Sequence, residues 1–301
     1  MHYYTFSKYL REKYGTRVHR LSLNAGFSCP AREKARAQGG CIFCNEAGFS
    51  PFSGTDISLE EQIERSMKLS ARKYGAEKFI AYFQSSTNTN ASQDRLKTAY
   101  DVIRKYPDIV ALYISTRPDC IDDAKLDLIS EYMDDYEVWI EYGIQTSHDN
   151  TLKKINRGHT FSESISAVNK TCARGIKVGG HIILGLPGES REDMIVTAKK
   201  LSEIPVAGIK LHVLHVLRDT KLEVMYREDK IKLLNQDQYV AIVCDFLEYT
   251  RAECIIFRVV SDANKDILVA PDWINHKGIV LRDIEKEFSR RGTHQGASVS
   301  R

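Results

Sequence analysis

Short apolar runs rich in β-branched and aromatic residues recur about every 30 residues along this chain, with segments of helical period between them. The runs lie near 20–27, 78–84, 109–115, 136–144, 177–184 and 208–216. Helices are expected over about 59–73, 92–105, 122–133, 162–173 and 191–203; Ser58 and Ser190 open two of them with capping boxes, and Gly175 stops the fourth. Strands joined through helices become parallel neighbours by right-handed crossovers, which restricts the chain to a parallel sheet with helices outside it. Six such strands predict an α/β fold in the form of a partial (β/α)6 TIM-like barrel, although a doubly wound sheet shares the pattern. Both arrangements gather ligands at the carboxyl ends of the strands.

Past residue 230 the rhythm changes to a helix near 236–250, an apolar strand at 254–260 and a helix near 280–291. The expected division is a barrel over 1–230 and a small C-terminal α/β extension over 231–301 packed upon it. The last ten residues, polar and glycine-containing, are expected to be loose. No apolar stretch approaches the roughly 18 residues of a membrane span, and Met1 to Phe6 lack the pattern of a signal peptide; a cytoplasmic protein with no membrane partner is expected. Lys plus Arg number 43 against 40 Asp plus Glu, a balance that permits contact with nucleic acid without arguing for it.

Seven cysteines are too few for a disulfide scaffold in a chain of 301 residues, so their spacing carries the information. Cys29, Cys41 and Cys44 follow the first strand, with eleven residues between the first two and two between the last pair. Three thiolates from one loop, with Gly39 and Gly40 freeing the backbone, suit three irons of a [4Fe-4S] cluster and leave the fourth iron without a protein ligand. Structural zinc needs four closed ligands, and no fourth Cys or His sits at finger-like spacing. A redox dithiol leaves Cys29 without a role.

With these cysteines the sequence resembles the radical S-adenosylmethionine (SAM) enzymes. Phe43 between the last two cysteines suits that family, although the loop is longer than its common three-and-two spacing. The resemblance continues through Gln84-Ser85-Ser86-Thr87-Asn88, Ser115-Thr116-Arg117-Pro118-Asp119-Cys120, Glu141-Tyr142-Gly143-Ile144-Gln145 and Asn156-Arg157-Gly158-His159. It takes in Gly185-Leu186-Pro187-Gly188-Glu189, Pro271-Asp272-Trp273 and Gln295-Gly296 as well. These motifs are similar to the Elp3-like branch and, within it, the YhcC/YtqA (MnmL-like) group.

The resemblance implies that Cys29, Cys41 and Cys44 hold a [4Fe-4S] cluster that reductively cleaves SAM to a 5′-deoxyadenosyl radical. It implies an electron donor such as flavodoxin or ferredoxin. Gln84, Ser85, Ser86, Thr87 and Asn88 fall where relatives hold the methionine amino group, Arg157 where the SAM carboxylate pairs, and Gly185 and Leu186 where adenine is lined. Phe43 belongs to the same cofactor set. Glu141 and Gln145 alternate on one face of the fourth strand with Gly143, which directs them at the SAM ribose; a satisfied interior network reads the same. Cys120 is a candidate thiol hydrogen donor or substrate contact, against the plain reading of a small buried hydrophobe. His181, His212 and His215 lie on strands, where histidine is usually a hydrogen-bonded core residue.

Elp3-like relatives act on the wobble uridine of tRNA, and the MnmL-like group on its carboxymethylaminomethyl side chain, converting it to aminomethyl for a methyltransferase to finish. Arg32, Lys34, Arg36, Lys153, Lys154, Arg290 and Arg291 are the basic candidates for contact with tRNA. One alternative keeps the radical chemistry and changes the substrate to a small metabolite or tetrapyrrole. Another is a non-catalytic, zinc-stabilised RNA-binding module.

Overall fold

The computed structural model describes residues 1–32, 39–45, 52, 56–261 and 263–299. The strands are β1 (Val18–Leu23), β2 (Lys78–Phe83), β3 (Ile109–Thr116), β4 (Glu137–Gln145), β5 (Lys177–Leu184), β6 (Gly208–Val213), β7 (Val216–Leu217), β8 (Ile255–Arg258) and β9 (Leu268–Ala270). The helices are α1 (Phe6–Tyr14), α2 (Leu59–Tyr74), α3 (Gln93–Asp101), α4 (Asp123–Ser130) and α5 (Asp149–Lys154). They continue with α6 (Phe161–Ala173), α7 (Arg191–Ser202), α8 (Lys221–Arg227), α9 (Gln236–Glu248) and α10 (Lys277–Arg291).

Strands β1 to β6 pair in parallel, each with the next, and curl into a half-barrel. The expected six become seven, because β8 pairs in parallel with β6 and completes the sheet. The segment after residue 230, expected as an extension packed on the barrel, therefore supplies a strand of the barrel itself. The expected first strand over 20–27 ends at Leu23, where Asn24 leaves the ladder and turns its side-chain oxygen to the Gly26 N–H. The run at 208–216 divides into β6 and β7, and β7 pairs antiparallel with β9.

The outer face of the sheet packs on the helices, and its core is continuous from Leu21 to Phe288. A second, smaller core lies inside the barrel, where α1 brings Phe6 and Leu10 onto Ile80, Tyr113, Trp139 and Phe257. Gly179 and Gly208 leave room for Phe257; a Cβ at Gly208 would stand 2.6 Å from its ring. Burying a side chain such as Phe6 contributes about 2–3 kcal/mol, and its ring meets Phe257 edge-on at 4.9 Å. This aromatic layer is the floor of the barrel.

The open side between β1 and β8 is closed by the chain's two end segments. Thr5 bridges to Ile256, and the Ile256 N–H donates to Tyr4 O at 2.8 Å. Gln295, expected in a loose tail, is buried: its Nε2 donates to Arg251 O (2.6 Å) and Cys254 O (2.8 Å), and its Oε1 accepts from Tyr4 N (2.8 Å). A side-chain amide that satisfies three backbone groups anchors a polar segment as firmly as apolar contact does.

Candidate active site

The cysteine loop is built by backbone hydrogen bonds before any side chain acts. Gly40 N donates to Ala31 O (2.8 Å), Arg32 N to Cys29 O (2.9 Å) and Cys44 N to Cys41 O (3.1 Å). Gly39 and Gly40 take φ of 73° and 75°, which side-chain-bearing residues rarely adopt. The loop is tied to its surroundings by Ile42 N to Ile155 O (3.1 Å), Leu222 N to Ile42 O (2.9 Å) and Asn156 Nδ2 to Gly40 O (2.7 Å).

Cys29, Cys41 and Cys44 all line one cavity of about 1440 Å³ that runs along the seam of the half-barrel down to Arg17. The Arg157 guanidinium reaches Cys41 Sγ at 3.7 Å, and Arg32 Nη2 reaches Cys44 Sγ at 2.6 Å. Burial pushes the Cys44 thiol up and Cys41 and Cys29 add to this, while Arg32 opposes it. Among the described residues no three Cys, His, Asp or Glu side chains are gathered to hold a single metal ion. A cubane instead spreads its thiolate ligands over separate irons. Three thiols on one wall, two of them beside guanidiniums, fit that donor set.

Of the residues expected to contact SAM, Phe43, Gln84, Ser86, Thr87, Gln145 and Arg157 line this cavity. Ser85 and Asn88 do not: both are buried behind the wall, and Asn88 Nδ2 donates to Phe83 O and Ser115 O (2.9 Å each), tying β2 to β3. Gly185 and Leu186 also lie off the cavity, because Leu234 covers the turn and would meet a Cβ at Gly185 at 3.0 Å. Arg157 spends Nε and Nη2 on the Gly143 carbonyl (3.1 and 2.7 Å), leaving Nη1 toward Cys41. A Cβ at Gly143 would collide with that guanidinium, which is why β4 carries glycine here.

Cys120 is buried off the cavity wall, on a short 3-10 turn after β3, and burial pushes its thiol up to about 12. A neutral thiol off the cavity wall matches the plain reading of a small buried hydrophobe. Its neighbour Arg117, which no site reading included, lines the cavity and is held bidentate by Asp119 at 2.9 and 2.8 Å. Of the basic candidates for tRNA contact, Lys34 and Arg36 lie outside the described residues. Lys153 and Lys154 are exposed at the end of α5, beside the residues that hold the cysteine loop. Arg290 pairs with Glu287, and Arg291 pairs with Asp245, Glu248 and Glu287.

Glu141 does not reach the cavity. It is fully buried between the floor and the cysteine loop, where its Oε2 accepts from Tyr82 Oη (2.8 Å) and Lys210 Nζ (2.7 Å) and is paired with His181. Burial alone would raise its carboxyl, but the Lys210 charge and the His181 bond outweigh it and hold the group well below the usual range. Burial lowers the Lys210 ammonium to about 7 against the pull of Glu141, with Arg20 and Arg258 adding to the effect. His181 is lowered to about 4 by burial and by Lys210. His212 faces Arg258, whose Nη2 stands 2.8 Å from its Nδ1, and His215 lies 3.0 Å from the Val213 carbonyl; both line the cavity. Arg20, Tyr82, Lys210 and Arg258 escaped the sequence reading. The one available signal was an Arg, a Lys and an Arg standing inside apolar strands.

A parallel half-barrel with three cysteines at the carboxyl end of its first strand and a charged interior beneath them defines a class: SAM-dependent radical enzymes. The chain belongs to the radical SAM superfamily; the superfamily model matches residues 36–201, and a radical SAM C-terminal domain model matches residues 206–290. This family uses a [4Fe-4S] cluster and SAM, and its members need an electron donor. The YtqA protein of Bacillus subtilis (strain 168) is 39% identical over 303 residues, covering 99% of this chain and 93% of its own. A tRNA uridine(34) acetyltransferase of Methanocaldococcus jannaschii is 28% identical over 137 residues, 44% of this chain and 25% of that one. Among solved structures, the Elp3 of Methanocaldococcus infernus superposes with a TM-score of 0.67 at 16% identity, over 93% of this chain and 64% of that one. No helix among the described residues is long and apolar enough to cross a membrane.

Proposed function

We propose that the protein modifies the wobble uridine of tRNA, converting its carboxymethylaminomethyl side chain to aminomethyl. The observation that carries the reading is the likeness to a tRNA uridine(34) acetyltransferase over 137 residues, 44% of this chain. Cys29, Cys41 and Cys44 would hold the cluster, and its open iron would take SAM. The cluster, when bound, supplies the electron that releases a 5′-deoxyadenosyl radical from SAM.

This chain's residues supply placement. Arg157 Nη1 and Arg32 Nη2 stand beside the Cys41 and Cys44 sulfurs and would offset the negative charge of the thiolates that hold the cluster. Gln84, Ser86, Thr87 and Gln145 offer amide and hydroxyl groups along the wall where SAM would lie. The aromatic floor and the seam segments cover part of the interior and would limit the access of water to a reactive radical. Lys153 and Lys154, exposed beside the cysteine loop, would meet the phosphate backbone.

Nucleoside mass spectrometry of tRNA from cells lacking the gene, with and without the intact or Cys44→Ala protein, tests the reading. Accumulated carboxymethylaminomethyl-uridine, cleared only by the intact protein, is the expected result. An unchanged profile would favour the second reading, a small acidic metabolite, which the cation-rich cavity also suits.

A further inference from the structure

The cavity wall is strongly unbalanced in charge. Arg11, Arg17, Arg20, Arg32, Arg117, Arg157, Lys210, Arg258 and Lys277 line it, against Glu77 as the sole acidic residue on the described wall. Some of these cations are committed: Lys210 to Glu141, Arg117 to Asp119, and Arg157 to the Gly143 carbonyl. Arg20 differs from them. Its guanidinium lies over the Phe6 and Tyr82 rings at 5.1 and 5.7 Å and no described carboxylate pairs with it, and its buried Nη1, like that of Arg117, has no hydrogen-bond partner. A guanidinium pinned by two rings and left with an unsatisfied buried N–H is pre-organised for an acceptor that arrives from elsewhere.

Depth argues against SAM as that acceptor. Arg20 stands three residues before the end of β1, roughly 10 Å below the barrel mouth at a strand rise of about 3.3 Å per residue. The amide and hydroxyl groups that suit SAM lie at or beyond the strand ends, at Gln84 to Thr87 and Gln145. A phosphodiester backbone is equally unsuited, being held at the mouth while only a base side chain reaches down.

We propose that Arg20, backed by Lys210 and Arg258 across the interior, binds a carboxylate carried by the substrate. Within the uridine reading, on which the choice of nucleoside rests, this is the carboxylate of the carboxymethylaminomethyl group. The site draws that end of the side chain to the barrel centre and discriminates against a product that has lost it. The guanidinium fork supplies paired donors, and Lys210, itself bonded to Glu141, adds only to the field around it.

The test measures equilibrium binding to the anaerobic, cluster-loaded protein with SAM present, using two matched pairs of probes. One pair is 5-carboxymethylaminomethyluridine and 5-aminomethyluridine; the other is N-acetylglycine and its amide, which carry no uridine. The acid should bind about tenfold or more tightly than its partner in each pair, Arg20→Gln should abolish that preference, and Arg20→Lys should restore part of it. SAM affinity and thermal melting of Arg20→Gln should stay at the parent value; a lower melting point transfers the test to Arg20→Lys, whose acid preference must fall between parent and none. Preference in the N-acetylglycine pair alone would sink the uridine reading and keep the anion site. Equal binding of acid and amide, no binding of either acid at millimolar concentration, inorganic phosphate displacing both acids at lower concentration than acetate, or loss of SAM affinity in Arg20→Gln would each overturn the proposal.

Discussion

Lys210 Nζ stands 2.7 Å from Glu141 Oε2 inside the half-barrel, and both side chains are buried. The pair links β6 to β4 across β5, which contributes His181 to the same carboxylate. Glu141 was expected at the SAM ribose; its place is in the interior frame that holds the strands at their spacing.

Removing one partner of such a pair leaves the other charge buried and uncompensated. Glu141→Gln and Lys210→Met should each destabilise the protein by about 3–5 kcal/mol, whereas the double variant Glu141→Gln/Lys210→Met should recover much of the summed loss. Denaturant unfolding of the singles and the double variant checks this; additive losses would show that the two groups are not coupled.

Cys29→Ala, Cys41→Ala and Cys44→Ala should each lose iron and labile sulfide and stop forming 5′-deoxyadenosine, with far-UV circular dichroism unchanged. Cys120→Ala is the contrasting variant. Because Cys120 is buried off the cavity wall, it should keep cluster and SAM cleavage within about twofold of the parent, at a stability cost of about 1 kcal/mol.

Glu137, beside the floor, accepts from Tyr14 Oη (2.6 Å), is bonded to Tyr9 and pairs with Lys177 (2.7 Å) and Lys13 (3.0 Å). Burial would raise its carboxyl, but these donors outweigh it and hold the group at about 2, below its ordinary 4.5. A depressed folded-state value means the stabilisation is complete above about pH 4.5 and is lost as pH falls toward 2. Glu137→Gln should cost about 2 kcal/mol at neutral pH, a modest figure because both lysines are more than a third exposed. It should also flatten the fall in stability below pH 4.5, as read by urea unfolding at a series of pH values.

Gln295→Ala removes three side-chain hydrogen bonds that hold Tyr4, Arg251 and Cys254. The expected loss is about 2–4 kcal/mol, concentrated at the seam. Hydrogen exchange should show faster labelling of the Tyr4 and Ile256 amides, with β3 and β4 unchanged; uniform acceleration would mean that the seam is not a separate unit of stability.

The parallel strands, the helices between them and the three cysteines were legible because each leaves a local mark. Period and spacing report which face is buried; Ser190 announces its helix with a capping box that the structure contains, and Ser58 caps its helix by accepting from Glu61 N without the reciprocal bond. The interior of the barrel was not legible. Arg20 and Lys210 occupy inward positions that, on a strand with one solvated face, would be read as outward. Gln295 looked loose because its partners, Tyr4, Arg251 and Cys254, are remote or backbone. Gly185 and Leu186 read as a turn at a ligand because nothing near them announces Leu234, which comes later in the chain and covers them.

The bond from Tyr4 N to Gln295 Oε1 joins residues 291 positions apart. Closing so long a loop is entropically costly and slow compared with the pairing of neighbouring strands. On the ribosome, Tyr4 must wait for Gln295 before it can be locked down. The half-barrel is therefore assembled as an open trough, and its seam is closed only when synthesis reaches Gln295.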